Sequence, residues 1–347
     1  MSRPTSHFER EVAEQPDVLR RILDDPNPRR VAEDLRDRSV GLILTLARGS
    51  SDNAVTFFTY LAGQYLGIPV ASLPPSLLTL YRAKLRLGDT LAIGVSQSGE
   101  STDVVEGLAT LKRGGAITVA VSNQPGSSLE REAVYSLLKH AGPERAVAAS
   151  KTFSGQMMVL ASLVAHWSGD TSLLQALEEI PLQMERILEN RNEVERAALR
   201  FTHARSTYVL GRGLSFGPAL EVALKLKETC YLHAQAYSSA EFQHGPIAAL
   251  HPNDPVVLLA NQDASLTSNK LVADRLRELG ADLTVISGAP ELLQVASAAV
   301  PLPRDLHPVS SSFLTVLAGQ LLTLYTALSK GLDPDSPRHL SKVTKTV

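Results

Sequence analysis

Three blocks of this chain recur in the same order at an offset of about 165 residues, and self-similarity on that scale constrains the architecture more than any single motif. Leu46–Ser51 (LARGSS) returns as Leu210–Ser215 (LGRGLS), Gly88–Val95 (GDTLAIGV) as Asn253–Ala260 (NDPVVLLA), and Gly115–Ser122 (GAITVAVS) as Gly280–Ser287 (GADLTVIS). In both halves a long stretch without charged residues follows, Ser154–His166 and Val309–Ser329. The fold must therefore be something that can be built twice.

Each block is a short apolar run rich in Val, Ile and Leu, then a turn of small residues, then a helical pattern, which reads as a βα unit. Continuous rather than alternating hydrophobicity places such strands in a parallel sheet covered on both faces. Strands are predicted near 41–46, 69–72, 90–95 and 117–122, and again near 207–211, 255–260 and 282–286. The predicted fold class is α/β: two tandem doubly wound, flavodoxin-like parallel-sheet domains with a helical N-terminal arm. The expected boundaries are 1–38 for the arm, 39–170 for the first domain, 171–200 for a helical connector and 201–347 for the second domain. The connector carries Leu173, Leu177, Ile180, Met184 and Ile187 at helical spacing among alternating charges. Pro26 and Pro28 should break the arm, which serves either subunit contacts or packing on its own domain.

A length of 347 residues agrees with two cores rather than one. A net charge of −2, with no basic stripe, argues against a nucleic-acid partner. The single cysteine, Cys230, has no partner for a disulfide or a thiolate metal motif, and residues 1–11 are too charged for a secretory signal, so a cytoplasmic location is expected. Val309–Ser329 has the length of a membrane span. Its Ser310, Ser311, Ser312, Thr315, Gln320, Thr323 and Thr326 side chains point instead to a helix buried in protein, with no membrane partner.

In open α/β sheets ligands bind outside the carboxyl ends of the strands. Two loops in such positions are rich in hydroxyls: Ser96, Gln97, Ser98 and Ser101 after the strand ending at Val95, and Ser50 and Ser51 after the strand ending at Leu46. Small polar residues at the start of a helix let backbone N–H groups and hydroxyls converge on an anion such as phosphate. The same serines would also suit ordinary turns and N-caps. Neither a Walker loop nor a dinucleotide GxGxxG follows any strand.

On the pattern from Pro218 to Tyr231, Glu221, Lys225 and Glu228 share one face of a helix whose other positions are largely apolar. Charges on a buried helix need partners or a polar cleft, and such clefts are where acid–base groups are found. His244, ahead of Gly245-Pro246, is either a proton carrier or a helix-terminal residue favoured by the dipole. The nine histidines show no zinc-type spacing and no GxSxG elbow is present, so neither a metal, an organic cofactor nor a serine-hydrolase triad is expected.

Taken together, the SQSGES loop, the GSS loop, ALEVALKLKE, SSAEFQHGP and the tail DPDSPRHLSKVTKTV resemble the sugar-isomerase (SIS) domain family, in particular the isomerase half of glucosamine-6-phosphate synthase (glutamine–fructose-6-phosphate aminotransferase) and stand-alone glucosamine-6-phosphate deaminases. The resemblance runs from about residue 40 onward. It implies that Ser50, Ser51, Ser96, Gln97, Ser98 and Ser101 hold a sugar phosphate, with Val147 to Lys151 beside the sugar. It implies further that Glu228 moves a proton between C1 and C2 with Lys225 and Glu221 in support, that His244 assists ring opening from the neighbouring subunit of a homodimer, and that Lys342 forms a Schiff base with a ketose. Arg48 stands where the synthase usually has cysteine, and neither a glutaminase segment nor a cysteine near residue 1 is seen. The expected reaction is thus conversion of glucosamine 6-phosphate to fructose 6-phosphate and ammonia. The alternatives are a synthase-type module, a deglycase for another 6-phosphosugar, and a non-catalytic sugar-phosphate sensor.

Overall fold

The computed structural model describes residues 5–342, and the last five residues of the tail motif lie outside them. Contacts gather the chain into two compact units. The N-terminal unit comprises Asp17–Glu144 and Lys151–Glu178, together with Ser341 and Lys342. The C-terminal unit comprises Arg145–Ser150 and Glu179–Leu340 together with the stretch ending at Pro16.

The N-terminal unit is built on five parallel strands, β1 (Leu42–Leu46), β2 (Val70–Ser72), β3 (Thr90–Val95), β4 (Ile117–Ser122) and β5 (Tyr135–Leu138), in the order β2-β1-β3-β4-β5. Every residue of β3 is buried, as continuous hydrophobicity requires of a central strand covered on both faces. One face packs on the helix Thr102–Arg113 through Leu44, Leu46, Ala92, Val104 and Leu108. In the same unit the helices Ser50–Leu66 and Asn27–Arg36 both pack against Lys151–Ser168, which is buried from Lys151 to Ala165.

The C-terminal unit repeats the design with β6 (Ser206–Gly211), β7 (His233–Ser238), β8 (Pro255–Ala260), β9 (Asp282–Ser287) and β10 (Ala298–Pro301), all parallel, in the order β10-β9-β8-β6-β7. Numbered within its own unit, this is the same strand order as the first sheet. In each, the strand order reverses beside the first strand, and the loops after the first and third strands flank that crevice. The two predicted doubly wound sheets are therefore present. Three strands, β5, β7 and β10, were not predicted.

The helix Pro308–Ser329 is long and apolar enough to cross a membrane, but 89% of its most apolar window is buried. It packs against Phe216–Cys230, Asn192–Ala198 and His7–Ala13. Its contact with Phe216–Cys230 is close because Gly319 has no side chain: a Cβ there would lie 2.2 Å from Val222 Cγ2. The helix His7–Ala13 is capped from the other end of the chain, its His7 and Phe8 N–H groups donating to the Asp335 carboxylate at 2.7 and 2.8 Å. The predicted connector is helical, Thr171–Glu189 followed by Asn192–Ala198, and the arm breaks between Leu23 and Asn27 as its prolines require.

Candidate functional site

In the N-terminal unit the SQSGES turn leaves β3 and enters the helix Thr102–Arg113. Ser96 is buried, and its Oγ accepts the Gly99 N–H at 3.1 Å and lies 3.4 Å from Ser101 Oγ. Ser98 Oγ accepts from the Glu100 N–H at 3.2 Å. Ser101 occupies the N-cap position, yet its side chain makes no capping bond, which leaves the first N–H groups of a 12-residue helix facing the turn. Gly99 is left-handed at φ 69°, and a Cβ there would collide with Ser127 Oγ at 2.3 Å, so only glycine permits this curl. The turn is tied down by Ser96 N–H to Val121 O, Asn123 N–H to Gln97 O and Leu129 N–H to Gly99 O. Glu100 is turned aside: hydrogen bonds from the Ser128 hydroxyl and then its N–H hold the Glu100 carboxyl below the usual range.

The second hydroxyl loop lies after β1, the strand paired with β3. Ser50 opens the helix Ser50–Leu66, and buried Ser51 accepts a hydrogen bond from Gln156 Nε2 at 2.8 Å. Arg48 joins the two loops, its Nε donating to Asp103 Oδ2 at 2.8 Å in the first turn of the helix after β3. All the predicted phosphate residues, Ser50, Ser51, Ser96, Gln97, Ser98 and Ser101, thus belong to two adjacent strand-end loops. The expectation that helices begin at both loops holds, and what such a pair can do chemically is receive an oxyanion.

A cationic group that the sequence reading missed stands behind this turn. Lys139, the first residue after β5, is fully buried and donates from Nζ to the Ser96 carbonyl at 3.3 Å. Burial pushes its ammonium down to about 7, against an upward pull from Glu144, while Lys342 pushes it further down. The Glu144 side chain is itself buried, accepting from Thr152 N–H at 3.1 Å, from Thr152 Oγ1 at 2.8 Å and from Lys342 Nζ at 2.6 Å. The predicted Lys342 is therefore described, and it is held by a carboxylate. Lys151 is buried at the head of the helix Lys151–Ser168 in this unit, whereas half-buried Val147 belongs to the segment Arg145–Ser150 of the other. Had β5 been recognised, its strand-end position would have singled out Lys139.

In the C-terminal unit the helix Phe216–Cys230 brings the predicted Glu221, Lys225 and Glu228 together. The Lys225 amine, 1% exposed, is 3.4 Å from Glu221 Oε1 and 2.5 Å from Glu228 Oε2. Glu221 is wholly buried, whereas the Glu228 side chain is 20% exposed. The arrangement is a carboxylate at the surface, a lysine behind it and a second carboxylate holding the lysine. The helix ends where Tyr231 turns left-handed at φ 56°, a conformation costly for a side chain and braced here by Arg338, whose guanidinium lies 4.5 Å over the Tyr231 ring. His244 is exposed at the end of the helix Ser239–Gln243, and its ring makes no hydrogen bond among the described residues. The unit therefore does not join His244 to the Glu221–Lys225–Glu228 group by a hydrogen bond or an ion pair.

The loop after β8 is the repeat counterpart of the serine turn, and it is occupied by its own side chains. Asn261 donates to Pro308 O and Ser312 Oγ, Gln262 accepts from Asp305 N–H, and Asp263 Oδ1 accepts the Ser265 N–H at 2.7 Å and the Ser265 hydroxyl at 2.5 Å. An acidic residue thus stands where the first copy has Ser98.

Residues 39–166 and 200–323 each match the SIS domain. Among curated proteins the chain is 35% identical over 344 residues to the glutamine–fructose-6-phosphate aminotransferase [isomerizing] of Aquifex aeolicus, a match covering 96% of this chain and 56% of that protein. The corresponding enzyme of Thermus thermophilus is 34% identical over 96% of this chain and 58% of its own length. The chain thus spans little more than half the length of these relatives. Among solved structures, a protein described as a phosphosugar isomerase from Silicibacter pomeroyi superposes with a TM-score of 0.88 at 35% identity, covering 95% of this chain and all of that one. The C-terminal domain of glucosamine-fructose-6-phosphate aminotransferase from Francisella tularensis gives 0.86 at 27% identity over 95% and 98% of the two chains. With the repeated sheets, the paired loops and a family match over both halves, the chain belongs to the SIS domain family.

Proposed function

We propose that this protein interconverts the aldose and ketose forms of an amino-sugar 6-phosphate, and that its reaction is hydrolysis of glucosamine 6-phosphate to fructose 6-phosphate and ammonia. The observation that carries the reading is the helix Phe216–Cys230, where a partly exposed carboxylate is held by a buried lysine and a second, buried carboxylate. A structural ion pair alone does not require this, because burying Glu221 and Lys225 on an apolar helix costs several kcal/mol per ion before pairing repays it. A base that must be oriented yet accessible does.

In this reading the loops of Ser50, Ser51, Ser96, Gln97, Ser98 and Ser101 hold the 6-phosphate, with Val147 and Lys151 beside the sugar. His244, supplied by the neighbouring subunit of a homodimer, assists opening of the ring. Glu228 takes the C2 proton of the open form and returns it at C1, while Lys225 keeps its carboxylate in place and Glu221 keeps Lys225 in place. Isomerisation leaves an imine at C2. Water adds there and ammonia departs, so that one water is consumed for each ammonia formed. Lys342 exchanges into the same imine through its neutral amine, which first has to leave Glu144.

The 35% identity to curated aminotransferases supports a second reading, in which the chain is an isomerising module that uses ammonia rather than releasing it. One assay separates the two, and also a sensor or a deglycase for another sugar. The purified protein is incubated with glucosamine 6-phosphate, and ammonia and fructose 6-phosphate are followed in both directions. Release of both products in equal amounts is expected, with loss of turnover but retained binding in Glu228→Gln. Net synthesis from fructose 6-phosphate and ammonia would favour the second reading, and binding without turnover a sensor. Turnover of a different phosphosugar would move the assignment to a deglycase or isomerase of that sugar.

A further inference from the structure

We propose that Lys139 is the cation that balances the bound phosphate dianion in the N-terminal unit, and that it takes up a proton when the anion binds. The inference rests on the reading that the serine turn holds a phosphate.

Its basis is geometric. The turn presents hydroxyls, N–H groups and the Gln97 amide, and Arg48, the cation that joins the two loops, is paired with Asp103. A fully buried amine is placed against the rear of the turn, on the carbonyl of Ser96, the same residue whose Oγ shapes the curl through Gly99 and Ser101. An ammonium has three donors, and among the described residues this one uses a single donor, to a neutral acceptor. A buried cation so poorly satisfied is costly unless an anion is close by.

The neighbouring charges do not meet that need. Glu144, the carboxylate facing the amine, is already shared among Thr152 and Lys342, and the Lys342 ammonium opposes a charge on Lys139. Of the other charged groups on adjoining elements, Glu100 is turned to Ser128, Asp25 is paired with His140, and Arg21 rests on the His140 carbonyl. Lys151 begins the helix whose Gly155 lies against the Lys139 stem. Burial therefore leaves Lys139 near the midpoint of its titration at neutral pH, about 7. A phosphate monoester brings close to two negative charges above its second ionisation near 6. Those charges favour the ammonium, so the amine binds its proton more tightly once the turn is filled. By linkage the protonated protein must bind the phosphate more tightly than the neutral one.

The test is calorimetric titration of the full chain with fructose 6-phosphate, and with inorganic phosphate as a minimal probe, in buffers of differing ionisation heat. At pH 8, where the probe is a dianion, uptake approaching one proton per ligand is expected. Between pH 7 and pH 9 the affinity should fall by up to about tenfold per pH unit, the slope for one linked proton. Lys139→Met should bind more weakly, with no such uptake and no such slope. Lys139→Arg, charged throughout this range, should keep the affinity and lose the slope. Binding by the wild type without proton uptake, or equal uptake in Lys139→Met, would overturn the proposal while leaving the phosphate reading intact. Failure of the wild type to bind either probe would remove the phosphate reading, and the proposal with it.

Discussion

Replacing Gly319 by alanine tests whether the helix bearing Glu221, Lys225 and Glu228 is held in place by close helix packing. The added Cβ would lie 2.2 Å from Val222 Cγ2 and 3.4 Å from Val222 Cβ, far inside contact distance for the first. Valine cannot readily rotate away, because a β-branched side chain in a helix has one strongly preferred rotamer. The helices must separate, which costs about 3 kcal/mol at the upper end of overpacking effects. Alanine recovers about 1 kcal/mol of helix propensity over glycine, leaving a net loss of about 2 kcal/mol. Urea unfolding of Gly319→Ala, Val222→Ala and the double variant measures this as a cycle. The Val222→Ala change alone opens a cavity, but it removes the atom that clashes while the propensity gain at 319 remains, so the double variant should be about 3 kcal/mol more stable than the sum of the single effects predicts. Because Val222 adjoins Glu221, Gly319→Ala should also slow turnover more than it weakens phosphate binding. A Gly319→Ala protein at least as stable as the wild type, or a cycle with no coupling, would refute the packing argument.

The buried Lys139 makes stability depend on pH in a definite direction. The unfolded chain keeps this proton to about 10.4 whereas the fold sheds it at about 7, so between those values the unfolded state binds more protons and the fold gains stability as pH rises. Across three pH units the gain is about 4 kcal/mol, and denaturant midpoints of Lys139→Met should exceed the wild type near pH 7 and converge on it near pH 10. Gly99→Ala, which puts a side chain into left-handed backbone and against Ser127, should cost about 2 kcal/mol or more and abolish phosphate binding in calorimetry. Asp335→Ala should lower the unfolding midpoint by about 1 to 2 kcal/mol through loss of the cap on His7–Ala13, with turnover unchanged.

What the sequence revealed follows from burial. The central strands β1, β3, β4, β6, β8 and β9 are continuous apolar runs because both faces are covered, and all six were predicted. The strands it hid lie at sheet edges, where YSLL, HAQAYS and AAVP are half exposed and carry no such run. The Glu221–Lys225–Glu228 group was legible because three charges at helical spacing interrupt an apolar stretch. Lys139 was not, since a lone lysine beside a histidine reads as surface until the strand before it is known. Glu144 likewise looks like an ordinary loop carboxylate, and only three-dimensional contacts reveal that Thr152 and Lys342 converge on it.

The Asp263 carboxylate, folded onto Ser265, gives the duplication a history. A tandem copy of one fold starts with two equivalent strand-end loops. If the serine turn of the first copy holds a phosphate, the Asp263 carboxylate at the matching position of the second copy disfavours another dianion by like charge. On that reading one ligand per polypeptide is the stoichiometry expected in calorimetry, and the second copy contributes the Glu221–Lys225–Glu228 helix rather than a second anion site.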